Sequence, residues 1–423
     1  MKMAQKASEK NGTKPVQENK GNGKKRRSKA QTRSLSVLKA ICMIAVVLIL
    51  VVIAAYRFGN ITFSSVGDYF TALISDTKSG DGYPYYFENT SVENVQSVGS
   101  DLFVLANDST FVLDNTARKL GYTQHTFSNP VAYTAGGRVL LMDVGETSLR
   151  VLSKTKVLYE ESFPHKLLTG AIGKNGAVAV ASRGESSQSM LTVYNKNHKE
   201  IFVWHCAAEN IVAVAVSDNG KRAAVSAVGA KNGEMYCKVH IFDFAYGEPI
   251  ASFDYTQTVS GLQFLSGDRL LLYGKNVFTI TDGAEKVLEE DLSLNTLSRL
   301  YTDDNGFTAA VLSKYGSSAS KIIKGYDRKG NLLFETELSQ SVKGVSCDNM
   351  YVSVLTDSFL YNFNHKGETV GKSAVDADGL QPFTDGKYTY VYTMSGIQRY
   401  KTTDFAETVT TTSPSESSSE QPN

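Results

Sequence analysis

This sequence contains few residues of the types that carry redox chemistry or bind metals. Its 423 residues include one tryptophan, four cysteines, six histidines and eight prolines. No two cysteines have CxxC spacing, and no two histidines have the HxH or HxxxH spacing of a metal site. The GxSxG elbow, the phosphate-binding loop and the HExxH motif are also missing. The sequence therefore predicts no catalytic residue, no metal site and no cofactor, and it favours a protein that is not an enzyme.

The cysteines indicate little about the redox environment. Cys42 lies in a long apolar stretch, which leaves Cys206, Cys237 and Cys347 in the rest of the chain. Three cysteines cannot all pair with one another. A Cys206–Cys237 disulfide is one alternative, and three small buried side chains are the other. A domain of this length does not need a disulfide for stability.

Positive charge is concentrated at the N-terminus. The whole chain has 44 Lys and Arg against 43 Asp and Glu, but residues 1–39 hold twelve of the positive residues and only two of the negative ones. The basic run KKRRSK, from Lys24, directly precedes the apolar stretch, so membrane orientation and contact with anionic lipid explain it more simply than nucleic-acid binding. We therefore predict a disordered basic cytoplasmic tail over residues 1–34 and no nucleic-acid partner.

The apolar stretch Ala40–Tyr56, AICMIAVVLILVVIAAY, predicts a membrane helix. A bilayer core needs about 20 apolar helical residues, and an extension to 35–57 supplies them if Lys39 places its ammonium at the headgroups. Positive charge stays on the cytoplasmic side, so the residues that follow the helix are predicted to lie on the extracytoplasmic side of the membrane. We therefore predict a single-pass protein that contacts the lipid bilayer through one helix. Signal-peptide cleavage near Ala54 and a buried core helix are the alternatives.

From about Tyr83 to Tyr400 the sequence repeats a pattern of short strands and tight turns. Abundant Tyr (22), Phe (20) and Gly (34) suit such strands and turns, and the segments show no helical periodicity. One turn recurs eight times at a mean spacing of about 41 residues, which is typical of a four-stranded propeller blade. The turn begins at Gly99, Gly136, Asn175, Asn219, Gly267, Asn305, Asp348 and Asp385. We predict an all-β fold, a β-propeller of eight four-stranded blades over residues 83–401, with seven blades as the alternative.

The two ends of the repeat region are predicted to share one blade. The strand Tyr83–Phe87 (YPYYF) precedes the first repeat, and the last repeat has only three strands. Adding the early strand to the last blade would close the ring and protect its edge. Residues 58–82 are then a linker. Residues 402–423, rich in Ser, Thr, Glu and Pro, are predicted to be a disordered tail.

Individual turn residues give weaker signals. Ser217–Gly220 (SDNG) resembles the start of the Asp-box of sialidase propellers, but its Asp directly follows Ser and the closing aromatic is missing. It is more similar to the SPDGK turn of TolB-type and WD40-like propellers, in which the Asp caps a turn. His198 and His365 fall in hairpin turns and are predicted to be solvent-exposed. Trp204 cannot form the repeated Trp motif of quinoprotein propellers and is predicted to pack between blades.

Four segments together resemble an uncharacterised bacterial family of membrane-anchored, WD40-like propeller proteins, a domain of unknown function. They are GDGYPYYF from Gly80, QHTFSNPV from Gln124, LTVYNKNHKEIFVW from Leu191 and IVAVAVSDNGKRAAV from Ile211. The resemblance covers the apolar stretch and nearly all of the repeats. It implies a bacterial envelope protein with a cytoplasmic tail, one membrane helix and a propeller outside, and it carries over no catalytic residue.

These observations favour a non-enzymatic binding platform or scaffold in the bacterial cell envelope. Its partner would be an envelope protein or a cell-wall component, because a propeller offers two faces and a central channel. One alternative is an envelope glycan-active enzyme, which would need two channel-facing carboxylates about 5–10 Å apart. The other is the ectodomain of a transmembrane sensor.

Overall fold

Alternating apolar side chains and tight turns produce a ring of short β-strands. The computed structural model describes residues 80–88, 90–265, 267–316 and 320–406, and these form thirty-three strands in eight sheets. The predicted basic tail, membrane helix and most of the linker lie outside the described residues. No helix among the residues described is long and apolar enough to cross a membrane. Eight four-stranded blades were predicted, and the eight sheets confirm this.

The first four blades consist of consecutive antiparallel strands. Their strands are β2 (Val92–Val98), β3 (Asp101–Ala106), β4 (Ser109–Leu113) and β5 (Lys119–Gln124); β6 (Pro130–Ala135), β7 (Arg138–Asp143), β8 (Ser148–Ser153) and β9 (Val157–Ser162); β10 (Leu167–Ile172), β11 (Val178–Ser182), β12 (Ser189–Tyr194) and β13 (Glu200–Cys206); β14 (Asn210–Val216), β15 (Arg222–Lys231), β16 (Glu234–Asp243) and β17 (Ala251–Tyr255).

The last four blades include the first and the last described strands, β1 and β33. Their strands are β18 (Gly261–Phe264), β19 (Arg269–Gly274), β20 (Val277–Asp282) and β21 (Glu285–Glu289); β22 (Asn295–Thr302), β23 (Thr308–Lys314), β24 (Lys321–Tyr326) and β25 (Leu332–Leu338); β26 (Val342–Cys347), β27 (Tyr351–Thr356), β28 (Phe359–Asn364), β29 (Thr369–Ala374) and β33 (Phe405–Ala406); β30 (Gly379–Thr384), β31 (Tyr388–Thr393), β32 (Gly396–Lys401) and β1 (Tyr85–Tyr86).

The recurrent turn of the sequence joins the first and second strands of each blade. Gly176 (φ 88°) and Gly386 (φ 88°) adopt the left-handed backbone that these tight turns need and that glycine tolerates best. Because strands alternate in direction, these turns and the third-to-fourth strand turns lie on one face, here called the turn face. The second-to-third strand loops and the connections between blades lie on the opposite connector face.

The early strand closes the ring as predicted. β1 pairs with β32, with Tyr85 opposite Ile397 and Tyr86 opposite Gly396, and the Phe87 amide donates to the Ser395 carbonyl at 2.9 Å. Tyr85 also packs, together with its neighbouring aromatic residues, against the apolar cluster between blades 1 and 8. The first and last described segments are therefore joined by backbone pairing and by aromatic packing.

A buried apolar cluster lies between every adjacent pair of blades in the described ring. Apolar side chains point alternately to the two sides of each strand, so every blade has two apolar faces that it cannot bury alone. Trp204 of β13 lies between blades 3 and 4, with its ring centroid 5.0 Å from that of Phe242. The prediction that Trp204 packs between blades is confirmed.

The blade 7–8 interface differs from the other seven. Its apolar cluster is the smallest, with only Leu355, Leu360, Val375 and Val391 as buried members. Next to this cluster lies a buried polar network of Ser353, Asn362, Thr389 and Thr402, in which Ser353 Oγ donates to Asn362 Oδ1 at 2.6 Å. Hydrogen bonds thus replace part of the apolar contact between these two blades.

The fold continues past residue 401, where the sequence predicted a disordered tail to begin. β33 pairs in parallel with β29, and Phe405 lies opposite Lys372. The Lys372 amide also donates to the Asp404 carbonyl at 2.9 Å. The composition of residues 402–406 gave no strand signal, because this pairing satisfies the backbone groups of an open blade edge and needs no apolar side chains. The rest of the predicted tail, 407–423, lies outside the described residues.

Asp114 holds the turn between β4 and β5. Its Oδ1 accepts hydrogen bonds from the amides of Thr116 at 2.8 Å and Arg118 at 3.0 Å. Burial opposes ionisation of Asp114, but these hydrogen bonds outweigh it and lower the pKa of the carboxyl.

We expect Asp114→Asn to lower the free energy of unfolding by about 1 kcal/mol at pH 7. A lowered pKa in the folded state stabilises the protein above about pH 4, and this contribution is lost as the pH falls below that value. Thermal unfolding at pH 7 and pH 3 measures both effects. The wild type should lose more stability than the variant on acidification, and equal losses would contradict this role of Asp114.

Candidate binding channel

The first strands of the eight blades surround a central channel. Residues of β2, β6, β10, β14, β18, β22, β26 and β30 line a volume of about 1210 Å³. Small-molecule sites commonly occupy about 300–1,000 Å³, so the channel has room for an elongated ligand. Each inner strand begins at the connector face and ends at the turn face, which gives the channel one mouth on each face.

Charge in the described channel lining is confined to the turn-face mouth. The lining residues on the inner strands are all uncharged. The charged lining residues lie in or next to the first-to-second strand turns, and six of the seven are carboxylates. They are Asp101, Lys174, Asp218, Asp303, Asp304, Asp348 and Asp385, here called the acidic mouth.

Three of these carboxylates hold the turns in which they lie. Asp303 Oδ1 accepts from the amides of Asn305 and Phe307, each at 2.8 Å. The same arrangement recurs in the corresponding turns of the next two blades, at Asp348 and Asp385, whose Oδ1 atoms each accept two amide hydrogen bonds. Short acidic side chains cap such turns readily. These three carboxylates therefore stabilise their own turns, and their presence does not by itself indicate a ligand.

Two other carboxylates of the acidic mouth are paired with lysines. Asp101 Oδ2 lies 2.6 Å from Lys154 Nζ, and Asp218 Oδ2 lies 2.7 Å from Lys174 Nζ. The remaining carboxylate, Asp304, makes no hydrogen bond or ion pair with any described residue, and its side chain is exposed. Asp304 is thus the carboxylate of the mouth that is open to a partner.

Burial raises the pKa of two aspartates at the mouth. Asp218 has a raised pKa in spite of its ion pair with Lys174, because burial outweighs the pairing and the nearby Asp304 adds repulsion. The pKa of Asp303 is also raised, mainly by burial. Raised carboxyl pKa values are one property of general acids, and both aspartates line the same mouth.

Two contacts join blade 6 to blades on the other side of the channel. Tyr301 of β22 forms a 2.8 Å hydrogen bond with Ser97 of β2, in blade 1. Lys174 of blade 3 contacts the Asp304 carbonyl of blade 6. Burial raises the pKa of Tyr301 far above its ordinary value, so this phenol stays protonated. These contacts narrow the channel near the turn face.

Elsewhere, polar side chains of the wall bind neighbouring inner strands. Gln96 Nε2 donates to the Ala132 carbonyl at 2.9 Å, and Gln381 Nε2 donates to the Val345 carbonyl at 2.7 Å. Tyr133 Oη lies 3.0 Å from the Thr169 hydroxyl of the next blade. Because inner strands of adjacent blades are not paired, such side chains satisfy backbone groups that would otherwise stay open.

The SDNG turn has a different cap from the one predicted. Asn219 Oδ1 accepts from the Lys221 amide at 2.9 Å and from the Ser217 hydroxyl at 2.9 Å. The Asp218 side chain points instead to Lys174. The similarity to the SPDGK turn identified a capped turn correctly but assigned the cap to the wrong residue. The local reason is that either short polar side chain can accept from the turn amides.

No group of His, Cys, Asp and Glu within the described ring could hold a metal ion. His198 lies in a turn, with its side chain 35% exposed, and stacks on Tyr159 of blade 2 at 3.9 Å. His365 is half-buried and stacks on Phe307 of blade 6 at 4.5 Å. The prediction of solvent exposure is therefore wrong for His365, because its turn packs against the neighbouring blade.

The three described cysteines are buried and free. Cys206 donates to Glu209 Oε2 at 3.3 Å, and Cys237 lies 3.2 Å from the Ser226 hydroxyl. Burial raises the pKa of Cys206 to about 11, which keeps this thiol protonated and unreactive at neutral pH. Of the two alternatives for the cysteines, small buried side chains is the one observed.

The acidic mouth was not predicted as a site. Its signal is present in the sequence, because an aspartate stands in or beside the recurrent turn at Asp101, Asp218, Asp303, Asp348 and Asp385. These positions are as much as 284 residues apart along the chain, and only ring closure places them around one opening.

Solved structures of low sequence identity share the propeller fold. Saccharomyces cerevisiae Sqt1 is 10% identical, with a TM-score of 0.52, over 75% of this chain and 98% of that chain. The C-terminal WD40 domain of Sif2 is 12% identical, with a TM-score of 0.53, over the same shares. BamB from Moraxella catarrhalis is 10% identical, with a TM-score of 0.47, over 74% of this chain and 98% of that chain. At these identities, the likenesses to Sqt1 and Sif2 show the fold alone.

Sequence comparison delimits the same region as the fold. A protein family described as a family of unknown function matches residues 83–402, which is more than half of the chain. None of the curated proteins matches this sequence. The matched range begins two residues before β1 and ends one residue after β32.

Proposed function

Because the chain belongs to the DUF5711 family of unknown function, we propose its role from the propeller and its channel. The protein is a membrane-anchored, extracytoplasmic β-propeller that acts as a non-enzymatic binding platform in the bacterial cell envelope. Its partner is an envelope protein or a cell-wall component that contacts the channel opening. The fold alone does not imply this role, since propellers host many functions.

The proposal rests mainly on the contacts that the carboxylates of the acidic mouth already make within the protein. Three of them cap their own turns and two pair with lysines, as at Asp303 and Asp218. A general acid or nucleophile must be free to contact its substrate. An opening in which five of the six carboxylates are held in place offers a rigid, preorganised surface, which favours binding.

The proposed location at the cell membrane rests on the sequence. The apolar stretch within 35–57 is long enough to span a bilayer, and the excess of Lys and Arg before it orients the N-terminus toward the cytoplasm. The described chain begins on the turn face, where the amides of Gly80 and Gly82 donate to Thr116 in the turn between β4 and β5. These contacts favour an anchor whose linker reaches the propeller at this face.

The charge of the mouth limits the kind of partner. Six carboxylates and one lysine line it, so polyanions such as nucleic acids are repelled. A partner that presents lysine or arginine to the mouth gains favourable electrostatic energy and a faster association rate. This complementarity weakens as salt rises, because exposed charges are screened.

We expect Asp304→Lys to reduce partner capture from envelope extract by about fivefold at low salt. Full-length protein in detergent would be immobilised and the bound material quantified against the wild type and against Asp254→Lys, a control on β17. The Asp304 side chain is exposed and makes no described contact, and the variant keeps the backbone carbonyl that Lys174 contacts, so the fold should be kept. Failure of the wild type to capture any reproducible component would refute the platform proposal.

The raised pKa values of Asp218 and Asp303 favour one rival function, an envelope glycan-active enzyme. Both residues line the same mouth, as a pair of catalytic carboxylates would. Turnover of wall glycans by the purified protein, abolished in Asp303→Asn, would replace the binding proposal by this one.

A further inference from the structure

The channel wall in blade 5 has polar groups that the protein itself does not use. Tyr273, Gln263 and Ser260 all line the channel. None of these side chains makes a hydrogen bond to any described residue, whereas Gln96 and Gln381 elsewhere on the wall donate to neighbouring inner strands. Blade 5 therefore offers donors and acceptors toward the channel that are open to a ligand.

Gly261 is what brings an aromatic ring to this part of the wall. Tyr273 belongs to β19, the second strand of blade 5, and lies opposite Gly261 of the inner strand. A Cβ atom at Gly261 would lie 2.1 Å from the Tyr273 ring, so no other residue fits there without moving the ring. A glycine inside a strand often marks such a close approach. The Tyr273 ring is partly buried against the apolar cluster between blades 5 and 6, and its exposed part reaches the channel beside Gly261.

The neighbouring inner strand adds an apolar side chain. Val212 of β14, in blade 4, lines the channel and is 40% exposed. It is the extra residue of a β-bulge between Ile211 and Ala213, and bulges commonly re-aim a side chain. Tyr273, Gln263, Ser260 and Val212 together, here called the blade 5 subsite, combine one aromatic ring, one amide, one hydroxyl and one aliphatic group.

We propose that the blade 5 subsite binds a neutral sugar unit of an oligosaccharide. A pyranose ring has an apolar C–H face that packs on an aromatic ring, and its adjacent hydroxyls both donate and accept hydrogen bonds. One glutamine amide can serve two such hydroxyls, because it also both donates and accepts. The inner-strand wall carries no charge in its lining, so an ionic ligand would gain nothing there. The channel volume of about 1210 Å³ accommodates several sugar units in a row.

This site goes beyond the proposed platform function, because it does not depend on the acidic mouth. A cell-wall strand and a free oligosaccharide would present the same chemistry to it. The test uses a free oligosaccharide, so that its result is independent of partner capture from extract.

The probe is a tetrasaccharide of β-1,4-linked N-acetylglucosamine, titrated into full-length protein in detergent by calorimetry. We expect saturable binding that Tyr273→Ala weakens about tenfold and that Gly261→Ala weakens to a similar degree by displacing the ring. Gln263→Leu keeps the side-chain volume on a half-buried surface, and we expect it to weaken binding about fivefold. Tyr315→Ala, at a tyrosine that is 85% exposed outside the channel lining, should leave binding unchanged.

Several results would overturn the blade 5 subsite. Absence of binding, or equal binding by wild type and Gln263→Leu, would overturn the subsite even if Tyr273→Ala and Gly261→Ala failed to fold. Tighter binding of the deacetylated, cationic tetrasaccharide that Tyr273→Ala does not affect would place the ligand at the acidic mouth instead. Loss of binding in Asp304→Lys but not in Gln263→Leu would have the same meaning.

Discussion

Ending the chain at Lys401 is expected to lower the free energy of unfolding by about 4 kcal/mol and the Tm by roughly 8 °C. The truncation removes Thr402, which is 1% exposed and donates its amide to the Lys387 carbonyl at 3.1 Å. It also removes β33 from the edge of β29. The loss falls at the blade 7–8 interface, which has the smallest apolar cluster to compensate for it.

A chain that ends at Ala406 is the matched control. It lacks only 407–423 and keeps every described contact of the C-terminal segment, so its Tm should equal that of the full-length protein. Hydrogen exchange would locate the effect, since amides of β28 and β29 should lose protection in the shorter chain. Equal Tm values for the two truncated chains would show that residues 402–406 do not stabilise the ring.

Tyr85→Ala is expected to destabilise the protein by about 3 kcal/mol, and Tyr86→Ala by less than about 0.5 kcal/mol. The two residues are neighbours in β1 and point to opposite sides of it. The Tyr85 ring packs 6.0 Å from Phe87 and 6.2 Å from Phe111, between blades 8 and 1. Tyr86 is 53% exposed, so its removal leaves the core intact.

Denaturant unfolding of both variants measures this difference directly. Both substitutions replace tyrosine by alanine and leave the two backbone pairs of β1 in place. The change in β-propensity is therefore the same in both variants and does not contribute to the difference in their stability. Similar destabilisation by the two variants would mean that backbone pairing, and not aromatic packing, closes the ring.

A ring of blades must join its first and last repeats, and here the N-terminal strand closes blade 8 while the C-terminal segment attaches blade 8 to blade 7. The first join is made mainly by aromatic packing and the second by hydrogen bonds. The second join is expected to be the more sensitive to conditions that compete for hydrogen bonds.

Much of the architecture followed from local patterns. Eight recurrent turns, from Gly99 to Asp385, predicted the eight blades, and the surplus strand Tyr83–Phe87 predicted the closure. These predictions succeeded because side-chain alternation and turn chemistry act over a few residues and repeat in every blade. β33 was not predicted, because a strand that pairs through its backbone at a blade edge needs no particular amino-acid composition.

The channel could not be derived in the same way. The Tyr301–Ser97 bond joins residues 204 positions apart, and the blade 5 subsite exists because a missing side chain at Gly261 admits a ring from another strand. Such contacts depend on ring curvature and on the position of each blade relative to its neighbours, which no local pattern encodes.

By itself the sequence determined the repeat, the number of blades and the pairing of β1 with the last blade. The membrane anchor within 35–57 stays a prediction. The tertiary structure alone decided that aspartates from five turns surround one mouth, and that the blade 5 wall is open to a ligand. The physical reason is that strands and turns are fixed by short-range chemistry. A site in a propeller is assembled from residues that only ring closure brings together.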